Sequence, residues 1–267
     1  MRAIGFSISA HAKDIWTAPD WDLRRKLADA SFVAVCNRAG FERLTSLGAP
    51  DKMHLVRHGF ARDLLADRPR VQTRDGKDAR APVRIVAVAR AVEKKGLRRL
   101  LDALGRLPRD LAFHLDHYGG GELLGELKTK VRALSLDERV TWHGPMAHRD
   151  VIAALDKADL FVLPAVVGND GDRDGIPNAV MEAQARGVCI VASRVGGIDE
   201  VVSDGTNGRL IPPGDLDALT AALEDLIRNP DLRETLGTAA WEKAGRNNDA
   251  EAGYDAIAKL LSERIDG

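Results

Sequence analysis

Asp174-Gly-Ile-Pro-Asn-Ala-Val-Met-Glu182 runs directly into Ala183-Gln-Ala-Arg-Gly-Val-Cys-Ile-Val-Ala-Ser193, and the apolar stretch Asp159-Leu-Phe-Val-Leu-Pro164 precedes both. Residues 159–163 read as a buried strand, and the Gly- and Asp-rich stretch after them is too polar to continue a sheet. Ala179 to Ala185 carries a helical pattern that stops at Gly187, and 188–192 is a second buried strand. Strand, loop, helix, strand is the repeating unit of a parallel sheet. In such a unit the loop at the carboxyl end of the strand and the first free amides of the helix form an anion site, because unpaired N–H groups and the helix dipole both favour negative charge. Asp174 lies before the helix and Glu182 about one turn into it, so two carboxylates can address different parts of one ligand, Glu182 reaching toward vicinal hydroxyls. Two acidic residues alone equally allow a loop carboxylate and a solvated helix residue.

The same alternation extends outward. Candidate strands fall at 83–89, 112–118, 139–143, 159–163, 188–192 and 208–211, with helical periodicity between them. This predicts an α/β domain with a doubly wound parallel sheet. Val83-Arg-Ile-Val-Ala-Val-Ala89 leads into Arg90-Ala-Val-Glu-Lys-Lys-Gly96 and then into a helix marked by Leu97, Leu100, Leu101 and Leu104. Arg90 and Lys95 fall between this strand and its helix, where Lys and Arg are also ordinary solvated residues. Phe113-His-Leu-Asp-His-Tyr118 alternates apolar and polar residues and ends in the turn Gly119-Gly-Gly-Glu122; Arg139-Val-Thr-Trp-His-Gly144 is the next strand and turn. Helices are expected at 215–228, 230–244 and 249–264, the first two separated at Asn229-Pro230.

Together these motifs resemble the retaining glycosyltransferases of family 4, the glycosyl transferases group 1, in which two acidic residues separated by seven others bracket a Gly-rich helix start. The first position here is Asp174, where that family more often has Glu, so the charge is kept and the reach is one methylene shorter. Arg90 and Lys95-Gly96 resemble the family's Arg and Lys-Gly motif. The resemblance implies a GT-B-like α/β fold of two facing Rossmann-like domains, the second holding the donor and the first the acceptor. It implies further that Arg90 and Lys95 hold the diphosphate of a nucleotide sugar, supported by Gly175, Ile176, Pro177, Asn178 and Ala179. Glu182 is then expected on the donor ribose, Asp174 on the sugar ring, and Gly121 and Gly144 beside the donor. No cofactor or obligatory metal is implied.

Residues 1–67 supply only three candidate strands, 2–9, 32–35 and 53–57, with helices near 22–30 and 38–47. Ser9-Ala-His-Ala-Lys-Asp-Ile15, Ala30 to Cys36 and Val56-Arg-His-Gly-Phe60 resemble the back half of the family's first domain, which implies that His11 lies in the cleft at the transfer site. The expected organisation is a truncated acceptor-side segment at 1–67 and a polar, aperiodic linker at 68–82. A complete nucleotide-sugar-binding domain at 83–245 follows, and then a C-terminal helix at 246–267 returning to the first segment. The family's opening, of the order of a hundred residues, has no counterpart here. A three-stranded sheet exposes an edge, which makes self-association or a partner subunit an expectation.

Composition sets the remaining bounds. At 267 residues with 45% apolar and 30% charged residues and a net charge of -1, the chain can bury one sizeable core or two small ones. Aromatic residues make up 4%, and no basic stripe is interleaved with them, so a nucleic-acid partner is not expected. Cys36 and Cys189 lie in separate apolar runs and read as buried thiols of a reducing compartment. With no long apolar run, the expected location is the cytoplasm, with peripheral membrane association through a lipid-linked or saccharide acceptor. Gly168-Asn-Asp-Gly-Asp-Arg-Asp174 lacks calcium-loop spacing and reads as a mobile loop lining the donor site. The function these expectations converge on is retaining transfer of a sugar from a nucleotide diphosphate to a cell-envelope or exopolysaccharide acceptor. A nucleotide-sugar-binding module without transfer and a GT-B nucleotide-sugar epimerase remain open beside it.

Overall fold

The computed structural model describes residues 5–67, 71–247 and 250–265. The first part is β1 (Ile8–Ala10), α1 (Ala12–Trp16), α2 (Asp20–Asp29), β2 (Val33–Val35), α3 (Arg38–Thr45) and β3 (Met53–Leu55). Its three strands pair in parallel in the order β1-β2-β3. β1 is shorter than the expected 2–9, of which residues 2–4 lie outside the described residues. Its small core joins Ile15, Leu23, Leu27, Val33, Val35 and Leu44.

The second part is β4 (Val83–Val88), α4 (Leu97–Arg106), β5 (Phe113–Tyr118), α5 (Leu124–Ala133), β6 (Val140–Gly144), α6 (His148–Leu155) and β7 (Leu160–Leu163). It continues through α7 (Asn178–Ala185), β8 (Cys189–Ser193), α8 (Ile198–Val201), β9 (Arg209–Ile211), α9 (Leu216–Arg228), α10 (Pro230–Asn247) and α11 (Ala250–Ile265). The six strands form one parallel sheet in the order β6-β5-β4-β7-β8-β9. Such a sheet must be covered on both faces, and the period-2 alternation divides its side chains accordingly. Leu160, Val162, Cys189 and Val191 join the core beneath α4, α5 and α9. Phe161, Leu163, Ile190 and Ala192 join the opposite core with Val180, Met181 and Ala183 of α7. Each such Leu, Ile or Phe contributes about 1.5–3 kcal/mol through burial. The helix beneath β4 follows directly from sequence, since Leu97, Leu100, Leu101 and Leu104 repeat at helical spacing and all are buried.

The segment expected to be a linker does not hang free over its described residues 71–82. Arg74 donates twice to the buried Asp159, at 3.0 and 2.9 Å, and the backbone N–H of Arg84 donates to the same carboxylate at 2.7 Å. The fully buried Arg233 of α10 donates to the Ile227 carbonyl at 3.1 Å, to the Arg74 carbonyl, and to Gln72 Oε1 at 3.3 Å. Its polarity is thus that of a strap whose charges are paired against the second part. α10 runs three residues past the expected end at 244, and α11 turns back so that Gly253 meets the Arg57 backbone of the first part.

Candidate functional site

In a parallel sheet all carboxyl ends lie along one rim, and a crevice opens where successive connections leave in opposite directions. Here that switch falls between β4 and β7. The loops after these strands meet there: Val166 N–H donates to the Lys94 carbonyl at 2.8 Å, and a Cβ on Gly96 would lie 1.8 Å from the Pro164 carbonyl oxygen. Four charges converge at this point. Lys95 Nζ is 2.6 Å from Asp174 Oδ2, and Lys94 Nζ is 3.4 Å from Asp174 Oδ1 and 3.0 Å from Asp172 Oδ2. Asp174 is 7% exposed, so its carboxylate is paired with these ammonium groups rather than with bulk water. Lys94 was not expected in the site, and Asp172 only as part of the loop lining it. A Lys-Lys pair before a helix carries no sequence signal that both members turn inward, as they do here.

The loop 168–174, expected to be mobile, is tied down at several points. Asn169 donates to Glu93 at 2.7 Å, Asp172 pairs with Lys94, and the Arg173 guanidinium lies over the Trp16 ring at 4.1 Å. These contacts form because the Asp residues that read as a solvated loop face two lysines across the crevice.

The remaining expected residues fall into two groups around this cluster. Arg90 follows β4 and is exposed, and its guanidinium has no ion-pair partner among the described residues. Its loop is held by the glycine turn after β5: Ala91 N–H donates to the Gly120 carbonyl at 2.7 Å and Leu123 N–H to the Ala91 carbonyl at 3.0 Å. Gly121 has φ +149°, and a Cβ there would lie 2.5 Å from the Ala91 oxygen, which explains why that position is glycine. Gly119 N–H donates to the Gly144 carbonyl at 2.9 Å, so Gly144 supports the same turn through its backbone. Glu182 lies on α7, mostly buried, with Oε1 3.1 Å from Nε2 of the exposed His148.

At the start of α7 the expected row of amides needs correction. Pro177, the residue before the helix, has no N–H. The Ile176 amide is directed at the Cys36 sulfur, where it offsets part of the burial that pushes the Cys36 thiol up. Asn178 and Ala179, the first two helical residues, retain N–H groups without an intrahelical acceptor.

Facing this rim are the carboxyl ends of the first sheet. His11 follows β1, is exposed, and its Nε2 lies 3.0 Å from Ser9 Oγ. Its ring stands 6.2 Å from that of His58, edge to face. His58 Nε2 is 3.2 Å from the Ile176 carbonyl, which can only accept, so that nitrogen carries the proton. Burial holds the His58 pKa below the usual histidine value. His11, Cys36, His58 and Tyr254 line a cavity of about 220 Å³. The structure therefore brings together Lys95, Asp174, Gly175 and Ile176, and joins them to His11 through His58. Among the described residues no three His, Cys, Asp or Glu side chains are grouped to hold a metal.

Comparisons with known proteins bear on the family and the fold. The family described as "Glycosyl transferases group 1" matches residues 72–243. WcaL of Salmonella typhimurium, provisionally named a colanic acid biosynthesis glycosyltransferase, is 35% identical over 222 residues, 82% of this chain and 53% of its own length. The amylovoran biosynthesis glycosyltransferase AmsK of Erwinia amylovora is 31% identical over 246 residues, covering 91% of this chain and 59% of its own. The chain thus spans somewhat over half the length of these relatives. Among solved structures, Anabaena HepE in complex with UDP superposes with a TM-score of 0.81 at 21% identity, covering 97% of this chain and 72% of HepE. That likeness identifies the fold as GT-B type, with a Rossmann-like second part.

Proposed function

The chain belongs to the glycosyl transferases group 1, and from that membership and the rim of charges at the switch point we propose that it binds a nucleotide diphosphate sugar and transfers the sugar with retention of anomeric configuration. The observation that carries this reading is the convergence of Lys94, Lys95, Asp172 and Asp174 between β4 and β7, with Arg90 exposed on one side and the free amides of α7 on the other. A diphosphate needs several fixed donors in a site partly shielded from water, and each charge-assisted contact there is worth roughly 1.5–3 kcal/mol.

In this reading Arg90, with Lys95 and the Asn178 and Ala179 amides, takes the diphosphate and stabilises the charge that grows on it as the glycosidic bond breaks. Lys95 is already paired with Asp174, so the carboxylate fixes the ammonium in place and can itself accept from a hydroxyl of the sugar. Glu182 accepts from the ribose hydroxyls, and His11, on the facing rim, addresses the transferred sugar or the acceptor hydroxyl. The relatives are named for colanic acid and amylovoran biosynthesis, which supports a saccharide or lipid-linked acceptor in polysaccharide synthesis. No helix among the described residues is long and apolar enough to cross a membrane. Incubation with a nucleotide sugar and an oligosaccharide acceptor, followed by NMR of the product, tests the proposal. A product with the donor's anomeric configuration and release of nucleoside diphosphate supports it; an inverted product or an isomerised free sugar refutes it.

A further inference from the structure

Glu200, in the turn Gly196-Gly-Ile-Asp-Glu200, has no role in the chemistry above, yet it makes a pair of contacts that join the two parts of the chain. One carboxylate oxygen accepts from the Arg38 N–H at 2.6 Å, and the other is 2.9 Å from Arg57 Nη2. Arg38 is the first residue of α3, so its amide has no intrahelical acceptor, and a carboxylate placed there also meets the positive end of the helix dipole. Glu200 is carried by α8, next to the rim of the second sheet; Arg38 and Arg57 belong to the first part. Its own side chain is 12% exposed, while Arg57 opposite it is half exposed, so the buried end of the contact is the Glu200 end.

The same seam determines where Asp174 sits. Asn37, which caps α3 by accepting from Gly40 N–H at 2.7 Å, is 1% exposed and lies flush against Gly175 and Gly197; a Cβ on either glycine would come within 2.8 Å of it. Gly197 N–H donates to the Gly175 carbonyl at 3.0 Å. His58, next to Arg57, holds the Ile176 carbonyl. The peptide that follows Asp174 is therefore gripped by Asn37, His58 and Gly197, and Glu200 is the only charged residue of the second part that holds both Arg38 and Arg57 among the described contacts.

We propose that Glu200 is a positioning residue, an interdomain clasp that holds the His11 rim in register with the Asp174 loop. The clasp is a property of the seam and stands without the transferase reading; its effect on turnover rests on that reading. The chain carries its own reporter. Cys36 is buried at the seam, with its sulfur 3.6 Å from where a Cβ on Gly175 would stand, whereas Cys189 is buried in the sheet of the second part. Opening of the seam exposes the first thiol and not the second.

The experiment is alkylation of the full chain with iodoacetamide, read by peptide mass spectrometry, for the parent protein, Glu200→Ala, Glu200→Gln and Arg57→Ala. Loss of a helix-terminal carboxylate contact and its ion pair shifts the opening equilibrium roughly tenfold. The expected result is Cys36 labelling about ten times faster in Glu200→Ala, less so in Glu200→Gln, which keeps an acceptor for Arg38, and less so in Arg57→Ala, with Cys189 protected throughout. If Glu200→Ala unfolds and both thiols react, the two milder variants decide by the same criterion. Unchanged Cys36 labelling in the folded variants overturns the proposal. Where donor binding is measurable, Glu200→Ala is expected to lower kcat more than it lowers donor affinity, because of the donor groups only the Asp174 loop touches the seam while Arg90, Lys95 and Glu182 lie elsewhere on the second part; equal losses in both would place Glu200 in the donor site instead. Absence of donor binding in the parent protein would count against the transferase reading and leave the labelling result intact.

Discussion

His117 shows how burial alone can make a residue pH-sensitive. It is fully buried in β5, its ring 5.0 Å from that of Trp142, and neither ring nitrogen has a hydrogen-bond partner among the described residues. Burial lowers its pKa to about 4. A histidine depressed in the folded state binds fewer protons than the unfolded chain between its two pKa values, so its contribution is complete above about pH 6.5 and is lost as pH falls from there toward 4. The displacement corresponds to about 3 kcal/mol, and the smaller depression at His58 has the same sign. Urea unfolding at pH 7 and pH 4.5 is expected to show a smaller stability difference in His117→Leu than in the parent protein; the same difference in both would refute this account. At this scale sequence gave a partial view. Alternation in Phe113 to Tyr118 put His114 and His117 on opposite faces, but which face was dry depends on Trp142 and Ala89, which are distant in sequence or on another strand. Likewise Asp174, Lys95 and Glu182 were legible as motif positions, whereas Asp172, Lys94 and His148 enter only through contacts across the fold.

Among the elements, the turn after β8 controls the loop after β7. Gly196 has φ +64°, and a Cβ there would lie 1.9 Å from the Asp174 carbonyl oxygen. A Gly196→Ala substitution therefore combines left-handed backbone strain with a collision against backbone that cannot rotate away. It is expected to cost about 2–4 kcal/mol and to weaken donor binding by moving Asp174. Thermal unfolding together with donor titration checks both effects, and an alanine variant of parent stability would show that the loop yields. The strands and helices of the second part were legible because each follows one periodicity: period 2 with apolar runs in the sheet, and i, i+3, i+4 leucines in α4. The start of α7 was less legible. Its glycine and proline marked the turn, but the Ile176 amide faces Cys36 on another sheet, a contact that no local pattern encodes.

For the whole molecule, two parallel sheets turn their carboxyl rims toward one another, one bearing His11 and His58 and the other Arg90, Lys95, Asp174 and Glu182. The polar segment before β4 joins them as a strap, anchored by Arg74 on Asp159 and by Arg233 on Gln72. Its composition read as a linker because pairing, unlike apolar packing, leaves no periodicity in sequence. On the proposed reading the second rim is a nucleotide-sugar site built from Arg90, Lys95, Asp174 and Glu182. Calorimetric titration of the purified chain with uridine, guanosine and adenosine diphosphate sugars, alongside Glu182→Ala and Arg90→Ala, measures that binding. Saturable binding to one nucleotide class, weakened roughly tenfold or more in each variant through loss of a charge-assisted contact, is the expected result. Binding that survives both substitutions, or no binding to any of these donors, would contradict it.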